Sequence, residues 1–214
     1  GVRIYEVPIR YAGRDYAARF EPGRFTYTPA LGREAPATLP VAFTLEEIRL
    51  GETVLLDVDA PVAPVRRGNL VVYEHPGGID ERYEVRADGV HQTFLFDDLP
   101  VGGGDLVVRG RLDTELMRCS EGAGARFELP GFGGVSWGGV TGVDADGAMA
   151  AGDVHLDGTS LELVLPAAFV SRASLPLVLD PLVGTVLDGA TGVNDDFDPD
   201  VAFDGEILAA HLAA

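Results

Sequence analysis

The sequence contains no lysine. All 16 of its basic residues are arginine, and with 34 acidic residues they give a net charge of −18 at pH 7. A protein that binds nucleic acid needs a basic surface to displace the counterions around phosphates, so this charge argues against that class of partner. An anionic membrane surface would repel the chain for the same reason. No run of apolar residues approaches the roughly 18 that span a bilayer, so we expect no membrane insertion.

Cysteine is almost absent. Cys119 is the only one in 214 residues, which rules out an intrachain disulfide. A chain of this length buries about 70% of its unfolded surface on folding and needs no cross-link to be stable. Disorder is excluded by the composition, because 46% of the residues are hydrophobic. The absences together leave an acidic protein with a substantial core.

Helical periodicity is also lacking, since no amphipathic stretch exceeds about two turns. The 28 glycines and 14 prolines instead fall in clusters, and many segments between them alternate in polarity. This pattern predicts strands over residues 2–7, 15–20, 41–50, 53–58, 69–74, 81–86, 89–96, 105–112, 135–137, 140–143, 160–165 and 175–183. Asp88-Gly89 and Asp146-Gly147 predict hairpin turns, and residues 166–170 predict one helical turn. The predicted fold is all-β: an antiparallel, sandwich-like domain of many short strands with Gly/Pro turns.

The charge divides the chain unequally. Residues 1–111 hold 13 arginines and 17 acids, whereas residues 112–214 hold 3 arginines and 17 acids. We predict an all-β domain over residues 1–185, with residues 61–68 as the place where it could subdivide. Residues 186–214 are predicted to form an acidic linker or terminal segment. The first residues show no signal-peptide pattern, so we expect a processed product or an excised fragment.

Acidic and amide side chains crowd the end of the chain. The candidate metal ligands are Asp188, Asn194, Asp195, Asp196, Asp198 and Asp200, and Asp204 follows them. Clustered oxygen ligands suit Ca²⁺, but the spacing lacks the twelve-residue EF-hand pattern. Two interpretations therefore stay open, a solvated acidic linker and a calcium site. The residues point to no other cofactor.

Catalytic patterns are few. Residues 134–138 (GVSWG) match the Gly-x-Ser-x-Gly elbow that exposes a nucleophile, here Ser136, at a strand-to-helix turn. The residues that follow, GVTG, do not begin a helix. The paired carboxylates Asp97-Asp98 and Glu46-Glu47 would face opposite sides of a strand and could not share a substrate. The histidines, none of them in a metal-binding spacing, are His75, His91, His155 and His211. We therefore predict that the protein is not an enzyme.

Four ordered segments carry a resemblance to a known family. They are residues 81–94 (ERYEVRADGVHQTF), 104–108 (GDLVV), 142–147 (GVDADG) and 175–182 (LPLVLDPL). Together they resemble the N-terminal β domain of large secreted bacterial surface proteins, in which β-propeller-like or other extracellular repeats follow. Residues 194–204 are similar to the opening of the first such repeat, whereas residues 207–214 (ILAAHLAA) do not continue one. The resemblance implies a secreted or cell-surface location and supplies no catalytic residues.

These observations predict a non-catalytic structural or interaction domain, such as a subunit of an extracellular filament or surface assembly. Its partners would be proteins, or other copies of itself, joined through strand edges. Residues 2–7 or 207–212 could supply the strand. One alternative is a carbohydrate-binding module, with a stacking platform built from Trp137 and from Tyr5, Tyr11, Tyr73 or Tyr83. The second alternative is a hydrolase that uses Ser136 or the acidic residues.

Overall fold

A computed structural model describes residues 8–13, 15–87, 89–119 and 124–186. Two antiparallel sheets pack against each other. The first sheet contains β1 (Ile9–Ala12), β2 (Tyr16–Glu21), β3 (Arg24–Pro29), β4 (Val41–Leu50), β5 (Thr53–Asp57), β10 (Leu106–Thr114), β15 (Asp153–Asp157) and β16 (Ser160–Leu165). The second sheet contains β6 (Val65–Arg67), β7 (Leu70–His75), β8 (Ile79–Val85), β9 (Gly89–Phe96), β11 (Met117–Cys119), β12 (Ala125–Leu129), β13 (Gly133–Val143), β14 (Met149–Ala151) and β17 (Leu177–Val186). The predicted all-β, sandwich-like fold is confirmed.

Strand order places distant parts of the chain side by side. The first sheet runs β1-β2-β3-β4-β10-β16-β15, with β5 paired to β4. The second runs β11-β12-β13-β17-β9-β8-β7-β6, with β14 paired to β13. Residues 58–64 carry the chain from the first sheet to the second, and Gly23 N–H donates a 2.8 Å hydrogen bond to the Val62 carbonyl there. Side chains from both sheets enter one hydrophobic core.

The core follows from the alternation of the strands. In β2, Tyr16, Ala18 and Phe20 point inward while the residues between them face solvent, as a half-buried strand requires. The Phe20 and Phe25 rings of the first sheet lie 5.2 Å and 4.5 Å from the Tyr83 ring of the second, measured between ring centres. Each large apolar side chain buried in this way contributes about 1.5–3 kcal/mol. The contact between the sheets is therefore largely aromatic at this side.

One short helix, α1 (Ala167–Val170), is present in the described part of the chain, where a helical turn was predicted. Phe169 and Val170 are buried, and the Asp105 carboxylate accepts a 2.8 Å hydrogen bond from Ala167 N–H. A Cβ on Gly142 would lie 2.7 Å from the Phe169 ring, so β13 needs a glycine beneath the helix. No helix among the described residues is both long and apolar enough to cross a membrane.

The last predicted strand differs from expectation. Its prolines suggested an edge or the end of a strand, but β17 lies between β13 and β9 in the middle of the second sheet. Pro181 pairs with Val140 in β13 but with no residue of β9. The β9 register passes from Leu179–Phe94 to Leu182–His91, and this irregularity accommodates a residue that has no N–H. The two short strands predicted at residues 135–137 and 140–143 are one bulged strand, β13.

Candidate functional site

The predicted metal ligands at residues 188–200 lie outside the described residues, so the calcium interpretation stays a prediction. Within the described part of the chain, no three His, Cys, Asp or Glu side chains form a group that could hold a metal ion. The DADG turn has a structural role instead. The buried Asp144 carboxylate accepts hydrogen bonds from the backbone N–H groups of Asp146, Ala148 and Ser174, at 2.8–3.1 Å.

Ser136 does not lie on a nucleophile elbow, and the Gly-x-Ser-x-Gly interpretation of this segment is wrong. The residue is half-buried within β13, where it pairs with Arg126 on one side and with Gly184 on the other. A nucleophile elbow requires a sharp turn from a strand into a helix. Gly134 serves strand pairing, because a Cβ at this position would lie 1.8 Å from the Phe127 carbonyl oxygen.

Glu46 and Glu47 do not alternate across β4, so the prediction that they face opposite sides of the strand is wrong. Leu45 and Ile48 are buried, whereas both glutamates between them are half-buried. Glu47 pairs with Arg109 in β10, whereas the register shift that follows leaves Glu46 as an extra residue in β4. The Glu47 carboxylate lies 3.3 Å from the Arg109 guanidinium. Glu46 lines a surface pocket of about 350 Å³. Arg109 lines this pocket as well, so both glutamates lie near one guanidinium.

The aromatic platform proposed for carbohydrate binding does not form. Trp137 is 1% exposed, and the Tyr73 and Tyr83 rings are equally inaccessible in the core. Tyr11 is half-buried and stacks beneath the Arg66 guanidinium, which lies 4.7 Å from its ring centre. Tyr5 lies outside the described residues. Because Trp137, Tyr73 and Tyr83 are buried in the core, no sugar could stack on them.

A buried polar cluster, which the sequence did not predict, occupies the core beside these aromatic residues. Glu81 in β8 accepts hydrogen bonds from the hydroxyl of Tyr83 and, at 3.5 Å, from the side-chain amide of Gln92. The Gln92 amide also donates to the Tyr83 oxygen at 2.9 Å. Trp137 Nε1 donates to Gln92 Oε1 at 3.1 Å, and His75 Nε2 lies 3.3 Å from Glu81. We call these five residues the Glu81 cluster.

The Glu81 cluster is suited to holding the core together. Burial raises the pKa of the Tyr83 phenol well above its ordinary value, and the Glu81 charge raises it further. The same two causes, in the same order, raise the pKa of Tyr73. Both phenols are therefore proton donors across the physiological range, and Tyr83 gives its hydrogen bond to the carboxylate. The sequence signal was a polar residue at positions 81 and 92, on the side of each strand that faces the core.

Tyrosines also join the two sheets along one side of the sandwich. The Tyr73 hydroxyl in β7 donates to the carbonyls of Glu21 and Arg24 at the β2–β3 turn, at 3.0 Å each. The Tyr16 hydroxyl in β2 donates to the Gly89 carbonyl at 2.9 Å. Tyr11 in β1 reaches the Gly68 carbonyl beside β6. These contacts seal the side on which the sheets end in β1 and β6.

The opposite side of the sandwich ends differently. After β14 pairs with β13 in the second sheet, the chain crosses at Gly152 and continues as β15, the last strand of the first sheet. Gly152 N–H donates a 2.8 Å hydrogen bond to the Val140 carbonyl. A Cβ at Gly152 would lie 2.3 Å from the Val164 oxygen, so the crossing requires glycine. The sheet therefore ends on a strand anchored at its start.

The backbone groups of β15 alternate in direction. Asp157 and Ser160 flank the two-residue turn that joins β15 to β16, and such a flanking pair is hydrogen-bonded. Hydrogen-bonded and non-hydrogen-bonded pairs alternate along an antiparallel hairpin, so the N–H and C=O groups of Val154 and Leu156 point away from β16. The Gly152 N–H follows the same alternation and also points away. In the described part of the chain β15 pairs with β16 alone, and beyond Gly152 no described strand pairs with its outer edge.

Comparison of the chain with family models, curated proteins and solved structures finds no match to any of them.

Proposed function

We propose that this protein is a non-catalytic structural or interaction domain that joins a neighbouring protein by strand addition, as a part of a secreted or cell-surface assembly. The observation that carries the proposal is a difference between the two sides of the sandwich, the side with β1 and β6 and the side with β15. Tyrosine hydrogen bonds tie the sheets together at β1 and β6, whereas at the other side β15 pairs with no described strand except β16. A row of unpaired N–H and C=O groups is a template for another strand.

Two other edge strands, β6 and β11, offer less backbone for pairing with a partner. β6 and β11 have three residues each, and short or charged edge strands are the usual protection against unwanted pairing. Arg67 of β6 lies 2.5 Å from Glu74 in the next strand. β15 has five residues and half-buried apolar side chains at Val154 and Leu156. The extracellular setting is supported by the family resemblance of residues 81–94, 104–108, 142–147 and 175–182.

Hydrogen exchange tests strand addition without knowledge of the natural partner. We would measure exchange at every sheet edge in dilute protein, in concentrated protein, and with strand-forming peptides that are cationic, anionic or neutral. Strand addition predicts that amides on one edge become protected under at least one condition. If no edge gains protection with any peptide or at any protein concentration, the proposal is wrong.

The acidic segment has its own test. A ligand that binds only the native state raises the apparent stability, so a calcium site at Asp188, Asn194, Asp195, Asp196, Asp198 and Asp200 predicts a higher melting temperature in Ca²⁺ than in Mg²⁺. A solvated linker predicts the same melting temperature in both ions.

A further inference from the structure

Charges on the solvent face of the first sheet are matched from strand to strand. The ion pairs are Arg24–Asp113 at 2.9 Å, Arg109–Glu47 at 3.3 Å and Arg49–Glu162 at 3.8 Å. The pairing stops at β15. Asp153, His155 and Asp157 are exposed on this face, and the structure shows no ion pair for either aspartate within the residues it describes. In the part of the chain that the structure describes, the sheet therefore ends on two carboxylates that no arginine pairs with.

The other face of β15 is apolar and incompletely covered. Val154 and Leu156 pair with Leu163 and Leu161 and turn toward the core, yet both remain half-buried while their β16 neighbours are fully buried. A further strand would complete their packing. Its core-facing side chains would need to be apolar, since they would continue the same surface.

We infer that the open edge of β15 receives an extended segment of a partner protein in which cationic residues alternate with apolar ones. This inference rests on the proposed function and adds the chemistry of the partner. The cationic residues lie opposite Asp153 and Asp157, and the apolar residues lie opposite Val154 and Leu156. The backbone of the segment pairs with the outward N–H and C=O groups of Val154 and Leu156.

A second copy of the chain fits this edge poorly. Two β15 strands paired antiparallel about His155 would place Asp153 of each copy opposite Asp157 of the other, and like charges directly opposite are destabilising. The cationic edge strand β6 is already engaged: Arg66 lies over the Tyr11 ring and Arg67 pairs with Glu74. Two copies also repel through a net charge of −18 each.

The test uses two synthetic peptides, Thr-Arg-Val-Arg-Val-Arg-Thr and the same peptide with Glu in place of Arg, both capped and dye-labelled. Fluorescence anisotropy with the full chain measures affinity. We expect the Arg peptide to bind and the Glu peptide not to bind. The double variant Asp153→Asn/Asp157→Asn should weaken the Arg peptide by about five- to tenfold, because each exposed ion pair contributes about 0.2–1 kcal/mol. Higher salt should weaken it as well.

The matched control is Asp57→Asn/Asp59→Asn, which removes the same charge at the end of β5 and just after it. β5 pairs with β4, and β10 and β16 separate β4 from β15. This variant should retain the affinity of the native chain. Hydrogen exchange on the native chain should show protection at Val154 and Leu156 when the Arg peptide binds. This measurement uses the native chain and so does not depend on whether a variant folds.

Three results would overturn the inference. The peptides could bind equally, the control could lose affinity while the β15 variant keeps it, or protection could appear at another edge. In each case the proposed function survives, because an edge still receives a strand. Absence of binding and of protection with every peptide would overturn both.

Discussion

The indole N–H of Trp137 and the side-chain oxygen of Gln92 form a 3.1 Å hydrogen bond in the core, where neither residue is more than 1% exposed. Trp137 lies in β13 and Gln92 in β9, and β17 runs between them. Gln92 also reaches Tyr83 and Glu81 in the adjacent strand β8. With His75 in β7, the Glu81 cluster has members on four strands of the second sheet, β7, β8, β9 and β13, and passes over β17 on the face that meets the first sheet.

Replacing Gln92 by Leu should destabilise the protein by about 2–3 kcal/mol, because the Trp137 N–H loses its partner inside the core. Urea unfolding measures the change. A double-mutant cycle with Trp137→Phe separates this hydrogen bond from the loss of packing. The cycle should give a coupling of about 1 kcal/mol. If the two substitutions lower the free energy of unfolding by strictly additive amounts, this hydrogen bond does not stabilise the core.

Replacing Tyr73 by Phe should cost about 1–2 kcal/mol, because the hydroxyl is buried and donates to two carbonyls of the β2–β3 turn. Tyr11→Phe is the matched control. Its hydroxyl also reaches a carbonyl of the opposite sheet, but in an exposed position where water can replace it. The control should therefore change stability by less than about 0.5 kcal/mol. Equal costs for the two variants would show that burial of the Tyr73 contact is not what matters.

Asp180 makes stability depend on pH. Burial raises the pKa of its carboxyl from an ordinary value of 3.8 to about 6; the nearby Arg86 lowers it and Glu84 raises it. The folded state thus binds more protons than the unfolded state between about pH 4 and pH 6, and stability falls as the pH rises through this range. Above about pH 6 the ionised carboxylate stays partly buried, which lowers the free energy of unfolding.

The variant Asp180→Asn should remove this part of the pH dependence and be about 1–2 kcal/mol more stable than the native chain near pH 7. Urea midpoints measured at several pH values would show it. Asp98→Asn, at an exposed position after β9, should retain the native slope. Identical slopes for the Asp180 variant and the native chain would refute the role assigned to this carboxyl.

Gly134→Ala and Ser136→Ala distinguish a packing role from a catalytic one in the same segment. The alanine Cβ at position 134 would clash with a backbone oxygen 1.8 Å away, so the variant should unfold or lose more than about 3 kcal/mol. Ser136→Ala should stay folded, with a change within about 1 kcal/mol. A serine-directed probe should label neither the native protein nor Ser136→Ala. Labelling of the native protein alone would restore Ser136 as a nucleophile.

The sequence predicted most of the long strands because their patterns were strong. The segments 41–50, 89–96 and 160–165 match β4, β9 and β16 residue for residue. No strand bounds were predicted over β15, whose sequence DVHLD carries two acids and has low strand propensity. This strand forms because it pairs with β16 across a two-residue turn. Tertiary pairing thus decided the element on which the proposed function depends.

Local patterns also could not show which polar residues are buried. Glu81 and Gln92 fall on the core-facing side of their strands, yet alternation alone does not show whether a polar residue there finds hydrogen-bond partners. Trp137, 45 residues beyond Gln92, supplies one of them. Ser136 and Trp137 matched functional motifs on spacing alone. Pairing with two neighbouring strands left Ser136 half-buried inside β13 and Trp137 fully buried.

The sequence alone determined the fold class, since clustered glycines and prolines between alternating segments permit short strands and leave no room for helices. It also determined the strong negative charge. The tertiary structure decided where that charge is balanced and where it is not. Cross-strand neighbours are set by sheet order, and sheet order placed arginines beside acids through the first sheet but left Asp153 and Asp157 on its last strand, next to an open backbone edge.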